Sequence, residues 1–146
     1  PESKGSVHIK EARAGVQPNI RYNFLSSPAD QDLTVQAIRI ARAIMTAPAM
    51  ADLGVTELLP GSGETSDDAI LQWARAFGET TYHPVGTCKM GSDPMAVVDD
   101  RLRVRGLDGL RIADASIMPT LISGNTNAPS IMIGEKASDL VLEDAA

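Results

Sequence analysis

Three prolines mark where the helices of this chain can begin and end. Proline has a fixed φ and no N–H, so it suits a first helical turn and interrupts a helix elsewhere. Ser27-Pro28 therefore reads as an N-cap followed by a helix start, with Asp30 and Asp32 near the positive end of that helix dipole. Leu33, Ala37, Ile40, Ala41 and Ile44 recur at helical spacing, which predicts an amphipathic helix over about residues 28–47, ended by Pro48. Pro129 marks the first turn of a last helix running to about Leu142, with Ile131, Ile133, Ala137, Leu140 and Val141 as its expected buried positions. Between the two, Ser66-Asp67-Asp68 starts another helix, on which Ile70, Trp73, Ala74 and Phe77 share a face.

The remaining pattern is extended. Ser6-Val7-His8-Ile9-Lys10 alternates apolar and polar residues, which predicts a strand with Val7 and Ile9 inward and His8 facing solvent. Ile20 to Phe24 alternates less cleanly, and Val97-Val98, Leu102 to Val104 and Leu110 to Ala113 are short strand candidates. Helices and strands mix without βαβ regularity, repeats or a linker. The expected fold is a single α+β domain over residues 1–146, with a mainly antiparallel or mixed sheet and helices packed on it. At 43% hydrophobic residues the chain can bury a core, and with only 3% aromatics that core must be aliphatic.

Several function classes are excluded early. A net charge of −6 without a basic run makes a poor nucleic-acid or anionic-membrane binder. One cysteine cannot form an internal disulfide, and one Cys beside two His cannot close a structural zinc site, so no metal is expected. No apolar run approaches the ~18 residues of a membrane span. The start of the chain lacks a basic-then-apolar signal, and the expected setting is cytoplasmic. Gly61-Ser62-Gly63 is followed by Ser66 where a dinucleotide fingerprint would need its third glycine, so no glycine-rich nucleotide loop is present. Pro1 in place of Met suggests a processed product or an excised piece.

Chemistry-bearing residues concentrate in two places. The first is Tyr82-His83-Pro84-Val85-Gly86-Thr87-Cys88-Lys89-Met90-Gly91. A loop histidine is more often a hydrogen-bonded structural residue than a catalyst. Pro84, however, fixes the backbone after His83, and a rigid loop holding an imidazole is what a general base requires. Cys88 invites a thiolate–imidazole reading but is more simply a small buried hydrophobe, and Lys89 reads as a solvated charge. The second place is Arg111 to Thr120 followed by Ser123-Gly124-Asn125-Thr126-Asn127-Ala128-Pro129. Asp114 after a short apolar strand reads as a turn cap before a ligand-facing carboxylate. Asn125 and Asn127 flank a helix start, where they could cap it. The same free N–H groups and dipole end could instead stabilise negative charge on a ligand.

Taken together, His83-Pro84-Val85-Gly86-Thr87-Cys88-Lys89-Met90-Gly91, Val98-Asp99, Leu102-Arg103-Val104, Leu110 to Ser116 and Gly124 to Lys136 resemble the C-terminal domain of the glucose–methanol–choline (GMC) family of FAD-dependent alcohol oxidoreductases. The opening Pro1 to Val7 resembles the usual start of that domain, so the likeness runs over nearly the whole chain, nearest the choline-dehydrogenase-like branch. The resemblance implies that His83 accepts the hydroxyl proton of an alcohol substrate. It implies that Asn125, chosen over Asn127 by counting back from Glu135-Lys136, fills the second catalytic position. It also implies that Asp114 and Ala115 approach the ribityl and pyrophosphate region of FAD, and that Asn127, Ala128 and Pro129 lie at the isoalloxazine pyrimidine edge. The family's N-terminal FAD-binding half, absent from these residues, would be the partner domain, and hydride would pass to flavin N5. The fragment alone is then expected to bind FAD poorly and to turn over nothing.

Two other classes compete. One is a non-catalytic binding or structural module that keeps the fold after losing its cofactor domain. The other is a Cys88–His83 thiol hydrolase, ranked far behind. With one Trp, two Tyr and two Phe, this stretch cannot by itself build the aromatic cage a quaternary ammonium would want.

Overall fold

The computed structural model describes all residues 1–146. The chain forms two compact units, Pro1–Glu79 and Thr80–Ala146, within an α+β fold.

In the first unit, β1 (Ser6–His8) pairs antiparallel with β2 (Asn19–Arg21) in the register Ser6↔Arg21, Val7↔Ile20, His8↔Asn19. Gly5 lets the ribbon close, because a Cβ there would overlap the Arg21 carbonyl oxygen. The expected inward placement of Val7 and Ile9 does not hold: they are 46% and 86% exposed. Among the elements of this unit, β1 packs only on β2, so a three-residue ribbon has no third layer to bury a face against.

Helix α1 (Pro28–Met45) starts one residue after Ser27, as the proline requires, and a short α2 (Pro48–Ala51) follows it. Ser27 occupies the N-cap position, but its hydroxyl donates to Glu2 instead of capping the helix. Asp30 does more than complement the dipole. It is buried, and its carboxylate accepts from the N–H groups of Glu2 (2.9 Å) and Ser3 (2.7 Å), tying the start of the chain to the helix. The stripe that packs is Gln31, Thr34, Val35, Ile38 and Arg42, not the aliphatic one. Leu33, Ile40 and Ile44 remain about three-fifths exposed, contrary to expectation. The partners of α1 lie on another side. They are α3 (Asp67–Phe77) and the 57–64 loop, which Arg42 holds through Glu57 (2.8 Å) and the carbonyls of Gly61 and Glu64. Helix α3 is capped by Ser66, whose hydroxyl accepts from Ala69 N–H at 3.1 Å, and it buries Ile70 and Ala74. Phe77, expected on that face, is largely exposed at the helix end and lies beside Trp73 at 6.1 Å between ring centroids.

The second unit is built on one helix. Helix α4 (Asn127–Ala145) buries Ile133, Ala137 and Leu140 against Val98, Leu102, Ile117 and Met118. These three recur at helical spacing on one side of the helix. Ile131, two residues and more than half a turn from Ile133, points elsewhere and is 60% exposed, and Val141 on the flank is half-exposed. Both had been expected in the core. The short strand candidates are present as isolated bridges: Met90↔Val98 parallel, Val98↔Val104 and Arg103↔Arg111 antiparallel. The amide of Ile112 donates to Leu102 O (3.1 Å) and that of Val104 to Leu110 O (3.0 Å), completing this mixed arrangement.

The far end of α4 is held by charge. Asp144 pairs with Arg101 (2.7 Å), Arg103 and Arg111, and Glu143 adds a second contact to Arg101. The Arg103 guanidinium foremost, with Arg111 and Arg101, lowers the Asp144 carboxyl from the ordinary 3.8 to about 2. A group whose pKa is depressed on folding stabilises fully above its ordinary value and ceases to as pH falls through its folded value. Acid unfolding followed by circular dichroism should therefore show a loss of stability between about pH 4 and pH 2 that is smaller in Asp144→Asn, where only the contribution of Asp30 and the other lowered carboxylates remains. Identical acid profiles for the two proteins would mean the network does not hold the helix.

Candidate active site

The His83 loop is fixed at both of its ends by backbone. Tyr82 adopts φ +60° and donates its N–H to Thr80 Oγ1 at 3.0 Å, and Pro84 restricts the residue after the imidazole. Gly86 has φ +87°, a region that suits glycine, and any Cβ there would press on the Met118 carbonyl oxygen at 3.3 Å. Farther along, Cys88 N–H donates to Ser116 O (3.0 Å) and Met90 N–H to Ile117 O (2.7 Å). The loop is thereby bound to the turn that contributes Ile117 and Met118 to the core. Lys89 is half-buried and bridges to Asp93 at 2.8 Å, and its ammonium holds the Asp93 carboxyl below the usual range.

His83 is half-buried, and its Nδ1 lies 2.8 Å from Thr126 Oγ1. This bond joins the imidazole to the residue directly after Asn125 and directly before α4. The sequence thus brings together two segments 43 positions apart. Cys88 is a free, half-buried thiol. The hydrogen-bond partner of the imidazole is a hydroxyl, not that thiol.

Asp114 caps: its carboxylate accepts from Ser116 N–H at 2.7 Å and opens the single 3₁₀ turn Ala115–Ile117. The turn-cap reading of Asp114 is the one this geometry satisfies, and its exposed side leaves it open to solvent. Ala115 is half-buried against the core. At the start of α4 neither Asn125 nor Asn127 is the N-cap. Thr126 holds that position, buried at 8% exposure, and no side chain caps the helix. Asn125, Asn127 and Ala128 are exposed, and Pro129 is half-buried. The main-chain carbonyl of Thr126 accepts from Ser130 N–H (3.0 Å) and Ser130 Oγ (2.6 Å).

Thr126 is the residue the sequence did not single out. A signal was there: the position three residues before Pro129 caps a helix whose third residue has no N–H to receive a cap, so its hydroxyl is free for another partner. The uncapped first turn also leaves N–H donors at the positive end of the helix dipole, beside exposed amide side chains. That donor set suits an anion. An imidazole, the hydroxyl at the N-cap position and an open helix amino end are thus gathered in one unit.

Comparison with known proteins gives the family. The GMC oxidoreductase C-terminal family model matches residues 1–134, and the chain belongs to the GMC oxidoreductase family. It is 49% identical over 142 residues to an alcohol dehydrogenase [acceptor] of Pseudomonas putida, covering 97% of this chain and 26% of that protein. It is 44% identical over 144 residues to an oxygen-dependent choline dehydrogenase of Photobacterium profundum, covering 97% and 25%. Among solved structures, pyridoxine 4-oxidase from Mesorbium loti superposes with a TM-score of 0.87 at 36% identity, covering 95% of this chain and 27% of that one. A formate oxidase from Aspergillus oryzae RIB40, studied for FAD modification, superposes at 0.84 and 29% identity, covering 99% and 26%. The chain spans about a quarter of the length of the relatives it matches. No helix is long and apolar enough to cross a membrane.

Proposed function

We propose that residues 1–146 act as the C-terminal, proton-handling domain of a FAD-dependent alcohol oxidoreductase. His83 serves as general base and Asn125 as the neutral donor. The observation that carries this reading is the 2.8 Å contact between His83 Nδ1 and Thr126, which draws the imidazole to the segment bearing Asn125 and to the open end of α4. Family membership, with relatives named for alcohol and choline oxidation, supports the reaction class.

Oxidation of an alcohol to a carbonyl removes a proton from O–H and a hydride from C–H. When bound, FAD supplies the hydride acceptor. The chain's own residues handle the rest. With Nδ1 engaged by Thr126, Nε2 of His83 is the ring nitrogen left to take the hydroxyl proton, and only a neutral imidazole can do so. The Asn125 amide donates N–H toward the oxygen that becomes alkoxide-like. Carrying no charge, it favours that oxygen without adding a proton acceptor that competes with the imidazole. Asn127, Ala128 and Pro129 at the first turn of α4 would hold the pyrimidine edge of the flavin, where the helix dipole contributes on the order of 1 kcal/mol toward negative charge. Asp114 and Ala115 would line its ribityl and pyrophosphate side through the 3₁₀ turn they begin. The nucleotide moiety requires a partner: the N-terminal FAD-binding part that relatives about four times as long would supply.

Two outcomes follow. In the flavin-loaded full-length enzyme, His83→Ala should lower kcat/KM by ~10²–10⁴-fold, as for loss of a general base. A loss below about tenfold would contradict the assignment. Residues 1–146 alone, mixed anaerobically with FAD and an alcohol, should leave the flavin absorbance unchanged, and bleaching would show that the second part is dispensable.

A further inference from the structure

We propose that Thr126 is a positioning residue. Its hydroxyl oxygen accepts from His83 Nδ1–H and so fixes the tautomer whose bare Nε2 receives the substrate proton. The inference rests on the reading of His83 as base.

A separation of 2.8 Å between a hydroxyl oxygen and an imidazole nitrogen fits a hydrogen bond of either direction. The helix supplies the asymmetry. A side-chain oxygen at an N-cap ordinarily accepts from the N–H two or three residues on. Three residues after Thr126 stands Pro129, which has no N–H, and Thr126 makes no cap hydrogen bond. Its lone pairs are therefore not committed to α4. Thr126 is also 8% exposed, and a buried hydroxyl calls for a partner, which its uncommitted lone pairs let it meet as an acceptor. The Nδ1–H of His83 is the group within reach. With Nδ1 protonated and neutral imidazole carrying one hydrogen, Nε2 is left with its lone pair. The opposite direction, hydroxyl to Nδ1, would place the hydrogen on Nε2 and make it a donor where the reaction requires an acceptor.

The hydroxyl is separable from the fold. The His83 loop is tied by Cys88 N–H to Ser116 O and Met90 N–H to Ile117 O, and α4 begins with the main-chain carbonyl of Thr126 accepting from Ser130. None of these bonds uses Oγ1, so Thr126→Val, which keeps the shape of the side chain, removes the imidazole partner and leaves the helix start intact.

The test uses the flavin-loaded full-length enzyme with ¹⁵N-labelled histidine. The His83 ring nitrogens are assigned by their disappearance in His83→Gln. The wild type and Thr126→Ser should show a protonated Nδ1 and a bare Nε2, whereas Thr126→Val should show a mixture of both tautomers. Thr126→Val should also lower kcat about 10–100-fold, the scale of loss when the partner orienting a metal-bound histidine is removed, with KM nearly unchanged. Thr126→Ser should restore most of it. A wild-type ring with hydrogen on Nε2 would overturn the proposal, as would a Thr126→Val enzyme with wild-type tautomer and kcat. The base assignment fails separately, through an active His83→Gln, because the tautomer is read without turnover.

Discussion

One apolar stripe on α4 decides where the site is. Ile133, Ala137 and Leu140 seat the helix on Val98, Leu102, Ile117 and Met118, and this packing sets the position of the helix amino end. Ile117 and Met118 belong to the turn that begins at Asp114. The same turn accepts the amides of Cys88 and Met90 from the His83 loop. A single aliphatic core therefore holds the loop, the 3₁₀ turn and the helix start in one arrangement. The chemistry of the unit, an imidazole against the first turn of a helix, is a consequence of that packing more than of any local propensity.

The two ends of α4 are treated differently, and the contrast has a physical basis. The carboxyl end is closed by Asp144 among three arginines, a network that offsets the cost of ordering long side chains because several charges share one anion. The amino end is left without a cap. An uncapped first turn forgoes stability of about 1 kcal/mol, which is the usual contribution of an N-cap. In return it leaves backbone donors and the positive dipole end facing outward. Departures of this kind from the stabilising choice are expected where a surface has a task besides folding.

The helices were legible because proline positions and apolar spacing are local signals. Pro28 and Ser66 marked the starts of α1 and α3 to within a residue, and Ile133, Ala137 and Leu140 were recognisable from their period. What failed was the choice of face. Leu33, Ile40 and Ile44 form the more apolar stripe of α1, yet the packed stripe is Gln31, Thr34, Val35, Ile38 and Arg42, from which Gln31 and Arg42 also reach the carbonyls of Leu25 and Gly61. Val7 and Ile9 were misplaced as well: alternation reports a half-buried strand only where a layer exists to cover it. His83, Asn125 and Asp114 could be marked from residue type and from family resemblance. The partnership of Thr126 with the imidazole could not, since it is a contact across 43 residues. Its only trace in the sequence is the proline three positions later.

The proposed base and donor, His83 and Asn125, must converge on a single oxygen. The most direct measurement is a crystal structure of the flavin-loaded full-length enzyme with a carboxylate analogue of the alcohol bound. One carboxylate oxygen should lie within hydrogen-bond distance of both His83 Nε2 and the Asn125 amide nitrogen. An analogue that touches His83 while Asn125 faces away from it would contradict the account.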